Sequence, residues 1–256
     1  MTNMLKAPEP SPPSPASPLW RFYRSPIGKK VVSGVTGLGL AIFVLVHMLG
    51  NLLLFAGSEA YNSYAHHLEN WGVLLYAIEA VLVGAVLFHG AVGLEIFVGR
   101  LRARPQGYRQ YQSVGGSSYQ SFSSRTMILT GTVLAVFLIV HLWTFKFGTY
   151  YPAQLNGEPA RDLARLVVEV FQKLPYTLGY SVVLLLLGLH LRHGLWSGLQ
   201  SLGTLHSGIR PIAYGLSAIL AAAIALGFVI LPWAIYWGVV PDTGAASPLA
   251  VIATDT

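Results

Sequence analysis

Five long apolar stretches, roughly 31–55, 71–99, 126–147, 175–199 and 211–238, divide the chain, and its polar residues gather in the segments between them. Each stretch is near or above the ~20 residues that a helix needs to cross the hydrocarbon core of a bilayer. Lipid cannot satisfy exposed backbone groups, so spans of this length have to be helical, whereas a barrel would show short segments of alternating hydrophobicity. The pattern predicts an all-α integral membrane bundle of five transmembrane helices. Between the third and fourth spans, Leu163, Leu166, Val167, Val170, Phe171 and Leu174 recur at helical spacing. That spacing predicts a further helix within 149–174, either lying on the outer surface or forming a solvent-facing cap. Residues 56–70 read as a plain connection, and no tandem repeat is evident.

The first 19 or so residues hold six prolines and almost no apolar periodicity, which predicts an unstructured extension, taken here as 1–24. It lacks the basic-then-apolar order of a signal peptide and is expected to be retained. The membrane domain is then 25–240, followed by a short tail over 241–256.

Composition agrees with a bundle solvated by lipid: 54% of the 256 residues are hydrophobic and 10% charged, against about 25% charged in soluble domains. There is no cysteine. Disulfides, thiolate-held clusters, zinc fingers and cysteine nucleophiles in this chain are thereby excluded, and any metal must be held by histidine, methionine or oxygen. The net charge of +6 does not form a soluble basic face of the kind that binds nucleic acid; the basic residues sit at membrane borders and report topology. Twelve of them fall before the first span, between the second and third, or beside the fourth-to-fifth connection, and only Lys146, Arg161, Arg165 and Lys173 lie on the other side. The positive-inside rule then puts the N-terminus in the cytoplasm and the C-terminus outside.

Four of the spans each carry a histidine: His47, His89, His141 and His190. An ionisable side chain in hydrocarbon is costly unless it has a partner or a function. At ~1.5 Å rise per residue, His47 and His141 lie about sixteen and fifteen residues from the inner start of their spans, and so share a level in the outer half. His89 and His190, about eighteen and fifteen residues from an outer start, share a level in the inner half. Haem iron accepts two axial imidazoles from facing helices, so two histidines at each of two levels suggest two stacked bis-histidine b-type haems. Taken singly, each histidine reads first as a hydrogen-bonded packing residue or a member of a proton relay; four at matched depths favour haem ligands. His193 competes with His190 as ligand or pairs with a propionate. Gly90, Gly93, Gly188 and Gly194 flank the presumed ligands and would either let a flat macrocycle approach or pack helix on helix.

From about Ser25 to Tyr236 the chain resembles the five-helix, dihaem cytochrome b anchor (b558-type) of succinate dehydrogenases and fumarate reductases. The resemblance rests on SPIGKKVVSGVTGLGL leading into HMLGNLLLF, then YNSYAHHL, FHGAVGLEI, VHLWTF and GLHLRHGLWSGLQSLG, in that order. It implies His47 with His141 as axial ligands of a distal haem and His89 with His190 as those of a proximal one, with His193 not ligating. It further implies a multi-pass protein of a bacterial cytoplasmic membrane that anchors a flavoprotein with FAD and an iron–sulfur subunit and passes electrons to a membrane quinone. Menaquinone is favoured over ubiquinone, and succinate chemistry is left to the partners. The cytoplasmic loop 100–125 is the expected docking surface.

A quinone site needs polar groups near a haem edge. Glu69 and Lys146, with Asn70 and His66, stand at the outer border and Arg100 and Arg192 at the inner one. Glu79 and Glu95 lie within spans, where a carboxylate serves either proton transfer or a bond to a neighbouring helix. Two other readings compete: the dihaem subunit of a hydrogenase or formate dehydrogenase, and a haem-free transporter using the histidines as a relay.

Overall fold

The computed structural model describes residues 17–103, 121–155 and 157–240. It is mostly helical, and five helical segments are long and apolar enough to cross a membrane. After a short helix α1 (Pro18–Arg24), Ser25 accepts a hydrogen bond from the Gly28 N–H, and Pro26 supplies the fixed φ that opens α2 (Pro26–Leu52). The start of the chain is thus helical from Pro18, where the sequence reading left it unstructured to residue 24. Helix α2 ends in a 3-10 turn, Leu53–Ala56. The other long helices are α4 (Val73–Ala103), α6 (Met127–His141), α8 (Leu174–Ser201) and α9 (Arg210–Tyr236). Directly after His141, α6 runs on into a π-helical turn, Leu142–Lys146. A one-turn helix α5 (Phe122–Arg125) precedes α6. The centre of the expected docking loop, and the tail from 241, lie outside the described residues.

Small residues set how closely the helices approach. A Cβ at Gly188 of α8 would stand 2.8 Å from the Ala225 Cβ of α9, and one at Gly198 would stand 3.0 Å from the Leu38 Cγ of α2. Between lipid-solvated helices, where burial of apolar area supplies little drive, such contacts carry the association. Ala41 and Met48 of α2, Leu191 and Leu195 of α8, and Ala221 and Ile224 of α9 fill this seam. On α4, Val92 is the buried residue. The rest of that helix keeps a wide apolar face available to lipid.

At one end the bundle carries a cap, built where the sequence predicted a helix and a plain connection. Residues 56–70 are largely a helix, α3 (Ser58–Glu69), and 149–174 hold a two-stranded antiparallel hairpin, β1 (Pro152–Leu155) with β2 (Glu158–Arg161), followed by α7 (Leu163–Phe171). The surface-lying alternative is corrected: Ala164, Leu166, Val167, Val168, Val170 and Phe171 of α7 are buried, in one core with Leu54, Tyr61, Tyr180, Leu231 and Ile235. Asn62 fixes this docking, donating to the Asp162 carboxylate at 2.8 Å and accepting from the Ala164 N–H at 2.9 Å. The Arg161 guanidinium gathers the carbonyls of Phe145, Gly148 and Thr149 at 3.0, 3.3 and 3.0 Å. Phe145 lies in the π-helical turn after α6, and Gly148 and Thr149 follow it, so these carbonyls stand where the helix no longer supplies partners.

Candidate cofactor-binding site

Helices α2, α4, α6 and α8 bring their histidines together in two pairs. On the cap side the His47 and His141 rings have centroids 5.8 Å apart, with planes at 88°. On the far side the His89 and His190 centroids are 6.4 Å apart, with planes at 72°. Thr36 contacts His89 and lies eleven residues before His47 on the same helix, so the two levels are about 16 Å apart along the bundle.

The far-side pair has its second nitrogens engaged. His89 Nδ1 lies 3.2 Å from the Thr36 hydroxyl and His190 Nδ1 lies 3.1 Å from the Thr130 hydroxyl. Glycines make room for both rings. A Cβ at Gly37 would stand 2.9 Å from His89 Cε1, and one at Gly131 would stand 3.3 Å from His190 Cε1.

The cap-side pair is held differently. Asn51 donates to the His47 carbonyl at 2.8 Å and reaches His47 Nε2 at 3.4 Å, while its own oxygen accepts from Tyr61 at 3.0 Å. Burial holds the Tyr61 hydroxyl above its ordinary range, so it stays protonated and remains a donor. His141 packs among Phe137, Phe145 and Tyr180, and its buried Nδ1 has no hydrogen-bond partner among the described residues.

These features fit a haem. An imidazole nitrogen binds a transition metal at ~2.0 Å, and two rings on opposite sides of one ion have centroids roughly 6 Å apart once ring size is added. Both observed separations are close to that. Among the described residues no three His, Cys, Asp or Glu side chains gather into a metal cage; a bis-histidine haem asks the protein for two rings only. Nothing lies within 4 Å of where a Cβ at Gly93 or Gly194 would stand, one turn beyond His89 and His190. Gly188 instead packs against Ala225, and Gly90 is exposed, so helix packing accounts for the first and neither reading for the second.

The remaining candidates fall at the two ends. Lys146 forms an ion pair with Glu79 and lies over the Tyr76 ring, while Glu69 is exposed at the end of α3. Glu95 pairs with Lys29 at 2.9 Å and accepts from Tyr23 at 3.3 Å. Both membrane carboxylates thus bond a neighbouring helix. Arg192 donates to Ser121, Ser123 and Tyr214. His193 is half-buried one turn past His190 and takes no part in the far-side ring pair. His66 lies 3.4 Å from Glu158 and 3.1 Å from the Asn70 amide.

The sequence reading passed over Thr36 and Thr130. Each begins the same pattern, Thr-Gly with a histidine ten residues after the glycine, at 36–47 and at 130–141, and the partner helices share His-x-x-x-Gly-Leu from His89 and from His190. A spaced repeat was therefore present although no tandem one was.

No protein-family profile matches the chain, and no solved structure matches it. It is similar to the succinate dehydrogenase cytochrome b558 subunit of Bacillus subtilis (strain 168), 26% identical over 161 residues that cover 62% of this chain and 70% of that protein. The likeness and the five apolar helices together support a multi-pass membrane cytochrome b anchor.

Proposed function

We infer that the chain is the dihaem cytochrome b subunit that anchors a succinate:quinone oxidoreductase in a bacterial cytoplasmic membrane, N-terminus inside. The observation that carries this is the meeting of four helix-borne histidines in two pairs whose spacing suits an iron ion. The name of the B. subtilis relative points the same way. In this reading His47 and His141 hold one b haem and His89 and His190 the other, and His193 is a neighbour that pairs with a propionate. When bound, such a group exchanges single electrons and has no open coordination position for oxygen.

The chain's residues supply position and environment. Thr36 and Thr130 hold the far-side rings, and Asn51, itself held by Tyr61, holds the backbone at His47. The aromatic wall of Phe137, Phe145 and Tyr180 keeps water from His141. Quinone, with menaquinone favoured, meets the chain at the cap-side border, where Lys146 with Glu79 offers a proton-bearing pair beside Tyr76 and where Glu69 also stands. A flavoprotein and an iron–sulfur subunit dock on the opposite end, beside Arg100, Arg102 and Arg125.

Tagged chain expressed with its genomic neighbours should co-purify with a covalent flavoprotein and an iron–sulfur protein, and succinate should reduce its b-type absorbance. Recovery of a nickel or molybdenum enzyme in their place would move the assignment to a hydrogenase or formate dehydrogenase. Alanine at any one of the four histidines should remove one haem and spare the other; a spectrum unchanged across all four variants would refute the ligand assignment.

A further inference from the structure

The two threonines beside the far-side pair do more than fill space. The Thr36 hydroxyl lies 2.8 Å from the Val32 carbonyl and 3.3 Å from that of Ser33; the Thr130 hydroxyl lies 3.1 Å from the carbonyls of both Thr126 and Met127. A hydroxyl has one proton to give. In each threonine it goes back to the helix's own carbonyls, which leaves an oxygen lone pair facing the histidine. With its proton so engaged, the hydroxyl oxygen is the acceptor facing the ring, and Nδ1 of His89 and of His190 is then the nitrogen that carries the proton. The lone pair of each ring then resides on Nε2, the nitrogen free to bind a metal.

We propose that Thr36 and Thr130 are matched positioning residues that lock His89 and His190 in the Nδ1–H tautomer and set the electron affinity of the haem between them, by a contact the cap-side pair lacks. The inference rests on the haem reading above. Three observations support it. The contact occurs twice, across two different helix pairs. Each threonine is followed by the glycine that admits the ring it holds, Gly37 for His89 and Gly131 for His190. On the cap side, by contrast, His141 Nδ1 has no partner among the described residues, and the Asn51 amide meets the His47 ring at Nε2, at 3.4 Å.

The consequence has a definite sign. An imidazole that donates its N–H to a fixed acceptor becomes a more basic ligand. A more basic ligand favours ferric over ferrous iron, so the contact lowers the midpoint potential of the far-side haem. Removing the acceptor raises it. The cap-side haem, in the same molecule, serves as the internal control.

The test is a spectroelectrochemical titration of the purified full-length chain, with the far-side haem assigned by its loss in His89→Ala. Thr36→Val and Thr130→Val keep the shape of the side chain and remove the hydroxyl acceptor; Thr36→Ser and Thr130→Ser keep that hydroxyl. Each valine variant should raise the far-side midpoint and leave the cap-side midpoint in place, the double variant should raise it further, and serine should restore it. Midpoints that stay fixed, or that move together in both haems, overturn the proposal while leaving the haem assignment standing. A wild-type chain without a b-type spectrum overturns both. Should valine abolish far-side haem binding, the wild-type chain decides by itself: electron–nuclear double resonance after transfer to D2O should show the Nδ1 protons of one haem's two imidazoles exchanging more slowly than those of the other. Equal exchange at both haems overturns the proposal.

Discussion

His89 has unusually little freedom for a side chain on a helix with so much exposed surface, because Gly37 opposes its ring. A Cβ at position 37 would come within 2.9 Å of His89 Cε1, closer than carbon atoms pack, so Gly37→Ala should displace the ring and lower occupancy of the far-side haem by at least several-fold. Gly39→Ala, two residues on, meets nothing within 4 Å and should leave haem content unchanged. Quantitative difference spectra of the two variants check this, and equal haem content in both would speak against the glycine's role. At this scale the four intramembrane histidines were legible because hydrocarbon makes an ionisable group conspicuous. The threonines were not. Each satisfies its hydroxyl within its own helix and so leaves no sign of need in the sequence; only the recurrence of Thr-Gly eleven and ten residues ahead of a histidine marked them.

Among the elements, the cap shows where reading by hydrophobicity stops. Helix α7 was visible from its apolar spacing, but α3 was not, since SEAYNSYAHHLE is polar overall and is held by Tyr61 and Asn62, two buried side chains that bond to other elements. The hairpin strands PAQL and EPAR are four residues each, too short for alternation to show, with Gly157 at φ 85° in the turn between them. The long spans, in contrast, agree with their predicted limits to within about five residues, because lipid imposes both their length and their composition. The cap also carries an exposed acid-sensitive contact. A hydrogen bond from Tyr151, then one from Arg165, holds the Glu169 carboxyl below its ordinary 4.5. A carboxyl depressed in the folded chain stabilises it at neutral pH, and that contribution is lost as the pH falls through the folded value. Protection of the α7 amides, taken relative to their intrinsic exchange at each pH, should therefore fall on acidification below 4.5, and Glu169→Gln should flatten this dependence; identical protection profiles would show that the contact does not hold the cap.

For the molecule as a whole, charge and cap together define a direction. Arg21, Arg24, Lys29, Lys30, Arg100, Arg102, Arg125, Arg192 and Arg210 gather at the end opposite the cap. The topology proposed from this bias puts the cap outside the cytoplasm. Because the chain has no native cysteine, single introduced thiols report it cleanly. In intact cells a membrane-impermeant maleimide should label Gln154→Cys in the hairpin and spare Ser207→Cys in the α8–α9 connection until the membrane is permeabilised. The reverse pattern would invert the orientation and move the docking face with it. The two histidine pairs lie at different depths along this axis, about 16 Å apart by helix rise, which is the arrangement an electron relay between the two faces requires. The central claim is that each pair closes on one haem. Pyridine haemochrome analysis of the purified wild-type chain, set against its protein concentration, measures this most directly. The account predicts two b-type haems per chain; a ratio of one or none, in a chain supplied with haem during expression, contradicts it.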